Sequence, residues 1–139
     1  GRPDAPAPEP VASVHARIVL VRDVPPGTTA GYGATHAART QETWATISLG
    51  YGDGWPRSLG NRGYALVRGQ RVRVVGRISM DLIVVDVTGI PGVQAGDAVT
   101  FIGRAGEEEI TVDEVAVLAE TISYEILTGL TARLPRLER

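Results

Sequence analysis

What most constrains this chain is how often it is interrupted. Seventeen glycines and nine prolines fall among 139 residues, and the apolar residues between them come in short runs rather than long ones. Apolar side chains recurring at every second position line one face of a strand, and glycine and proline are the strongest punctuation between strands. From Val11 to Arg22, Ala12, Val14, Ala16, Ile18 and Leu20 fall on one face, with Ser13, His15 and Arg17 between them. This predicts a half-buried strand ended by Pro25-Pro26-Gly27. In Trp44 to Leu49, Ala45, Ile47 and Leu49 share a face. Tyr64–Val67 and Gln70–Val75 flank Arg68-Gly69 and read as a hairpin, with Arg71 and Arg73 on its solvated side. Ile78 to Val87 is the most apolar run, and its Leu82-Ile83-Val84-Val85 predicts burial on both faces. Ala98 to Ile102 is a further strand, Gly103 to Gly106 a turn, and Glu107-Glu108-Glu109 a solvated acidic patch.

Thr111-Val112-Asp113-Glu114 has the pattern of a capping box, with Ile110 and Val115 placed to close over it as a hydrophobic staple, so a helix is predicted from Val112 to Ala119. Ile122 to Ile126 suits a helical turn or a strand equally. Thr131 to Leu137 reads as an edge strand, where Pro135 is tolerated. About seven short strands and one short helix near the C-terminus predict a mainly β fold, an antiparallel Greek-key-like β-barrel. Residues 1–10, with Pro3, Pro6, Pro8 and Pro10, read as an extended linker or domain junction, leaving 11–139 as one β-domain.

Composition removes several chemistries. All fourteen basic residues are arginine and none is lysine, so this chain has no side-chain amine for an imine with a carbonyl cofactor. There is no cysteine, hence no disulfide, thiolate metal site or cysteine nucleophile. His15 and His36 are the two histidines. Neither lies near a serine in a recognisable elbow, nor at metal-ligand spacing from a second ligand, and no metal is expected. A net charge of −2 and 5% aromatic residues give no general pull towards nucleic acid or anionic lipid. No apolar run approaches the ~18 residues of a membrane span, so a soluble protein is expected. No signal-peptide pattern opens the sequence, and Gly1 in place of an initiator methionine is consistent with a piece of a longer chain.

What remains is tyrosine. Gly31-Tyr32-Gly33 and Gly50-Tyr51-Gly52 each set a phenol between glycines, which relieve crowding and let the backbone approach another group closely. Taken alone, such triplets are also ordinary turn chemistry. The second runs into Asp53-Gly54-Trp55-Pro56-Arg57 and a glycine-rich loop reaching Gly63. A phenol with its ordinary pKa of ~10 acts as a base near neutrality only where neighbouring cations lower it.

Four stretches together carry a family resemblance. Gly31-Tyr32-Gly33-Ala34-Thr35, Gly50 to Arg57, Val75-Gly76-Arg77-Ile78-Ser79-Met80-Asp81 and Glu120-Thr121-Ile122-Ser123-Tyr124-Glu125 resemble, in order and spacing, the motifs of the C-terminal domain of alanine racemase. The resemblance runs from about Val14 to Leu137. His36 stands where an aromatic residue is frequent, and Ser79 where cysteine is frequent.

This resemblance implies a pyridoxal 5'-phosphate enzyme interconverting L- and D-alanine. Its cofactor would be held covalently by a lysine outside this chain, in an N-terminal (β/α)8 barrel. A cytoplasmic head-to-tail homodimer follows from it, in which this domain closes the partner's barrel. It gives Tyr32 the role of catalytic base towards L-alanine and Met80 a backbone contact near the substrate carboxylate. Tyr124 would reach the cofactor phosphate and Tyr51 line the inner access channel. Arg57, Arg77 and Ile122 would form the next layer, with Asp81 beside it. The isolated chain is expected to be inactive. Two other readings stay open: a free-standing β-barrel that binds a ligand or partner, and part of a racemase of broader amino-acid specificity.

Overall fold

The computed structural model describes residues 13–30 and 35–131. The Pro-rich lead-in, the first Gly-Tyr-Gly triplet and all but the first residue of the expected C-terminal edge strand lie outside these.

The first strand, β1 (Val14–Val24), begins as its period-two pattern requires, with Val14 and Ile18 buried and His15 and Arg17 exposed. It then departs from that pattern. Its register shifts between Ile18 and Leu20, and one extra residue in a strand sends every later side chain to the opposite face. Leu20, expected inside, is consequently half exposed, and Val21 packs on the core instead. The irregularity also lets β1 serve two partners. Val14 to Arg17 pair with β8 (Ala98–Ala105), and Ile18 to Val24 pair with β4 (Glu42–Ile47).

The other strands are β2 (Thr29–Ala30), β3 (His36–Ala37), β5 (Tyr64–Val67), β6 (Gln70–Arg73), β7 (Ile83–Asp86) and β9 (Glu108–Ile110). The main sheet runs β6-β5-β8-β1-β4-β7 with β9 added on β8, all pairs antiparallel, and β2 and β3 form a separate two-stranded ladder. The expected β-barrel does not close. The ends of the path meet at one isolated bridge, Val74 with Val85, and at the bond from Val75 N–H to the Val84 carbonyl. Pairing goes no further because the chain bends away at Gly76, whose φ is +78°. The expected strand Ile78–Val87 likewise starts only at Ile83, since residues 79–82 are spent in a tight turn. There the Ser79 hydroxyl accepts from Leu82 N–H and donates to the Leu82 carbonyl. Leu82 is therefore exposed and Val84 half-buried, against the expectation of burial on both faces.

The hairpin turns at Arg68-Gly69, both at positive φ, the conformation that a two-residue hairpin turn matching the strand twist demands. Strand β8 runs on to Ala105, through most of the expected turn Gly103–Gly106, and the reversal falls at the end of that span, at Gly106. Ala45, Ile47 and Leu49 of β4 and its exit face the main core with Phe101, Leu66 and Ile83. Trp44 points to the other side, into a small second cluster with Val24, Ala30, Ala38 and Val75.

Helix α1 (Val112–Ala119) has the predicted bounds, and Thr111 Oγ1 caps it by accepting from Glu114 N–H at 3.0 Å. The undecided stretch after it is helical, giving α2 (Ser123–Thr131) and two helices where one was expected. Glu120 makes the corner in the left-handed region at φ +61°. Val115 and Ala116 of α1 and Ile126 and Leu130 of α2 enter the main core together. No helix among the described residues is long and apolar enough to cross a membrane.

The acidic patch and Arg71 are not merely solvated. Arg71 donates to Glu114 and to the Glu109 carbonyl (2.9 Å), and pairs with Glu108 (3.4 Å). It thus joins β6, β9 and α1. The Glu114 carboxylate raises the guanidinium above its ordinary pKa. A network of charge-assisted bonds contributes more than one exposed pair. In urea unfolding, Arg71→Leu is expected to lower stability by about 1 kcal/mol, less at high salt, and Arg73→Leu, two residues on, by under ~0.5 kcal/mol.

Candidate functional site

Beyond strand β4 the chain runs through the buried Leu49 to Gly50, itself buried and extended at φ −154°. From there to Gly63 the loop touches nearly every other motif of the chain, and it does so mostly through main-chain atoms. Tyr51 N–H donates to the Ser79 carbonyl (3.0 Å) and Gly52 N–H to the Met80 carbonyl (2.8 Å). The fit leaves no room for a side chain: a Cβ on Gly50 would lie 2.3 Å from the Met80 oxygen and 2.4 Å from that of Ser79. Asp53 closes the turn by accepting from Gly50 N–H through Oδ2 at 3.0 Å, so this carboxylate is occupied structurally.

The 3₁₀ turn Tyr51–Asp53 ends at Gly54, at φ +96°, where a Cβ would be 2.5 Å from the Gly129 carbonyl of α2. Trp55 is buried and meets Phe101 edge-on at 5.3 Å, which pins the loop to the core. Pro56 opens a second 3₁₀ turn, Arg57–Leu59, whose Leu59 is buried. Arg57 is thereby presented outward, its guanidinium 4.9 Å from the centre of the Tyr51 ring. Further on, Ser58 donates to the Ala119 carbonyl (3.4 Å) and Arg62 pairs with Glu120 (2.9 Å), tying the end of α1 to the same loop.

Gly60 packs on the Arg77 backbone, and Asn61 N–H donates to the Gly76 carbonyl at 3.0 Å. Between the two segments lies an open cleft of about 370 Å³ lined by Arg57, Ser58, Arg77 and Ile78. Two guanidinium groups beside one cleft suit an anion such as a carboxylate or phosphate. Met80 lies at Gly52 with its side chain largely exposed, and Tyr51, Leu82, Ile122 and Tyr124 are exposed as well.

Tyr51, Arg57, Arg77, Met80 and Asp81 are thus carried on two loop segments locked to each other. Tyr124 lies on α2, which meets the loop at the Gly54–Gly129 contact, and Ile122 lies just before that helix; both side chains are exposed. Tyr32 lies outside the described residues. The residues flanking its segment do not: Ala30 presents its carbonyl to Gly76, and Thr35 Oγ1 accepts from Asn61. Sequence reasoning quoted Gly54 and Gly76 within motifs without a structural role, and passed over Asn61 and Gly129. The signal for Asn61 was an asparagine among the loop glycines, the non-glycine residue most at ease at positive φ.

The family described as alanine racemase, C-terminal domain, matches residues 11–138 of the chain. The alanine racemase of Halothermothrix orenii is 44% identical over 128 residues, 92% of this chain and 34% of its own. Among solved structures, Bacillus anthracis alanine racemase with bound L-Ala-P superposes with a TM-score of 0.80 at 39% identity, covering 85% of this chain and 30% of that one. The Bartonella henselae enzyme with covalently bound pyridoxal phosphate gives 0.79 at 39% identity, over 85% and 32%. Fold and motifs define a β-domain of the racemase class, and this chain belongs to the alanine racemase C-terminal domain family. It spans about a third of the length of the curated relatives it matches.

Because Gly50 has an extended φ that any residue adopts, its requirement for glycine is purely steric. Gly50→Ala is expected to cost about 3 kcal/mol or more in chemical unfolding, as overpacking against rigid carbonyls does. Gly27→Ala, with nothing within 4 Å of its Cβ, should cost only about 1 kcal/mol for its positive φ.

Proposed function

We propose that this domain forms one wall of the active site of a pyridoxal-phosphate alanine racemase and brings its second base, Tyr32, to a barrel supplied by a partner subunit. The observation that carries this reading is the joining of Tyr51, Arg57, Arg77 and Met80 on one face, to which both ends of the Tyr32 segment are also tied. Tyr51, Met80 and Leu82 on the joined loop segments, and Ile122 and Tyr124 at the start of α2, are all exposed, and a covering partner would remove such side chains from water. A head-to-tail dimer covers them in the way the proposal requires.

The residues present fit one end of the cofactor and not the other. With no lysine, the chain cannot hold a carbonyl covalently. Its exposed phenol at Tyr124 and the arginines of the cleft offer the donors that a phosphate or a substrate carboxylate needs. When bound, the pyridoxal ring supplies a sink for the electron pair left at Cα. Racemisation then requires a proton to leave one face of Cα and another to arrive at the opposite face. A base fixed on one side serves only that side, so a second is needed across from the barrel lysine. Tyr32 Oη takes the proton from L-alanine and, in the reverse direction, returns it to the same face. A guanidinium close to that phenol favours its phenolate, while Met80 contacts the substrate near its carboxylate through the backbone and Tyr51 lines the approach.

In the complete enzyme, Tyr32→Phe is expected to slow racemisation by at least about a hundredfold, the usual contribution of a positioned base. Exchange of the Cα proton of D-alanine with D2O, carried out from the other face, should persist. A racemisation rate equal to that of the unmodified enzyme would remove Tyr32 from the mechanism. This chain alone, mixed with pyridoxal phosphate and L-alanine, is expected to give no D-alanine by chiral chromatography, and activity in that mixture would overturn the division of labour between the two domains.

A further inference from the structure

The ladder from which the Tyr32 segment departs cannot hold itself. Strands β2 and β3 pair through two residues each, Thr29 with Ala37 and Ala30 with His36, stand apart from the main sheet, and a two-stranded ladder is marginal in water even when longer. Its base is fixed by burial of Ala30 and Ala38 beside Trp44, and its tip needs a further hold.

Asn61 meets that need from a different loop. Its backbone sits in the left-handed region at φ +58°, which asparagine tolerates better than other side-chain-bearing residues. Its side chain spans two segments: Oδ1 accepts from Gly76 N–H at 2.6 Å, and Nδ2 donates to Thr35 Oγ1 at 3.0 Å. Gly76 in turn lies so close to Ala30 that a Cβ there would be 2.6 Å from the Ala30 carbonyl oxygen. Ala30 and Thr35 bracket Gly31 to Ala34, so both ends of that segment are tied to the same junction, one by a main-chain fit and the other by the Asn61 amide, beside the His36 ring that packs 5.7 Å from Trp44. The junction also begins the Arg77 segment.

We infer that Asn61 is a positioning residue: through Thr35 and Gly76 it ties the two ends that bracket the Tyr32 segment to the start of the Arg77 segment. This rests on the reading of Tyr32 as the base towards L-alanine. The side-chain amide suits the task because it offers a donor and an acceptor about a plane, so one group satisfies a backbone N–H and a hydroxyl at once.

The test uses the complete enzyme and four variants. Thr35→Val cuts only the outer bond at an exposed position and leaves Asn61 with Gly76. Asn61→Gly keeps the left-handed backbone and removes both bonds. Thr35→Ser restores the hydroxyl, and Tyr32→Phe reports on the base itself. Thr35→Val is expected to lower kcat by about tenfold with KM little changed, since small misplacements of a reacting group act on the chemical step. The isotope effect with Cα-deuterated L-alanine should rise while that with Cα-deuterated D-alanine does not. Thr35→Ser should recover the rate, and adding Thr35→Val to Asn61→Gly should change nothing further, because the two remove one link. If Thr35→Val matches the unmodified enzyme in rate and in both isotope effects while Tyr32→Phe is impaired, the positioning role is wrong and the base assignment stands. If Tyr32→Phe is also unimpaired, the base assignment has failed and the positioning claim falls with it.

Discussion

The contact between Gly50-Tyr51-Gly52 and the carbonyls of Ser79 and Met80 is the joint on which the functional face depends. It is main chain on main chain: two N–H groups find acceptors, and two absent side chains let them approach. A loop as long as Gly50–Gly63 has many conformations to lose, and unsupported it would pay that entropy without return. Here it is fixed at intervals by the Met80 carbonyl, by Gly129, by burial of Trp55 and Leu59, and by the Gly76 carbonyl. Side chains that chemistry needs can then project from a loop with nearly the rigidity of a strand.

The sheet beneath is shaped to receive that loop rather than to close on itself. The irregularity in β1 divides one long strand between two neighbours, and the bend at Gly76 ends pairing between β6 and β7 after a single bridge. A fully laddered barrel would keep residues 76–82 in a strand. Leaving the seam unpaired frees them to form the turn at Ser79 and to run under the Gly50 loop. The helices complete the face from the other side, with α2 brought in at Gly54 and the end of α1 held at Ser58 and Arg62.

Much of this was legible in the residues. The cap at Thr111 and the bounds of α1, the hairpin at Gly69 and the inward face of β4 follow from local patterns that nothing nonlocal contradicts. The failures were nonlocal. No feature of Val19-Leu20 announces a register shift, because the bulge answers to two different partners. Continuous apolar sequence at Leu82 to Val85 resembles a doubly buried strand, yet a serine hydroxyl closing a turn keeps Leu82 outside. The run Ile122 to Ile126 has no decisive period, and packing of Ile126 and Leu130 against α1 settles it as helix. Of the four motifs, the two that carry Tyr51 and Met80 are joined through their main chains, but the residues that make such joints were not legible in them. Glycine and asparagine do that work through geometry rather than through any distinctive chemistry of their own.

Because the joints are made of backbone, the face separates what must stay from what can change. A substitution at Gly50, Gly54 or Gly76 meets a rigid carbonyl, whereas Arg57, Met80, Ile122 and Tyr124 project from segments whose course does not depend on them. A substitution on that surface changes its size, charge or polarity and leaves the frame, a set of spacings between main chains, in place.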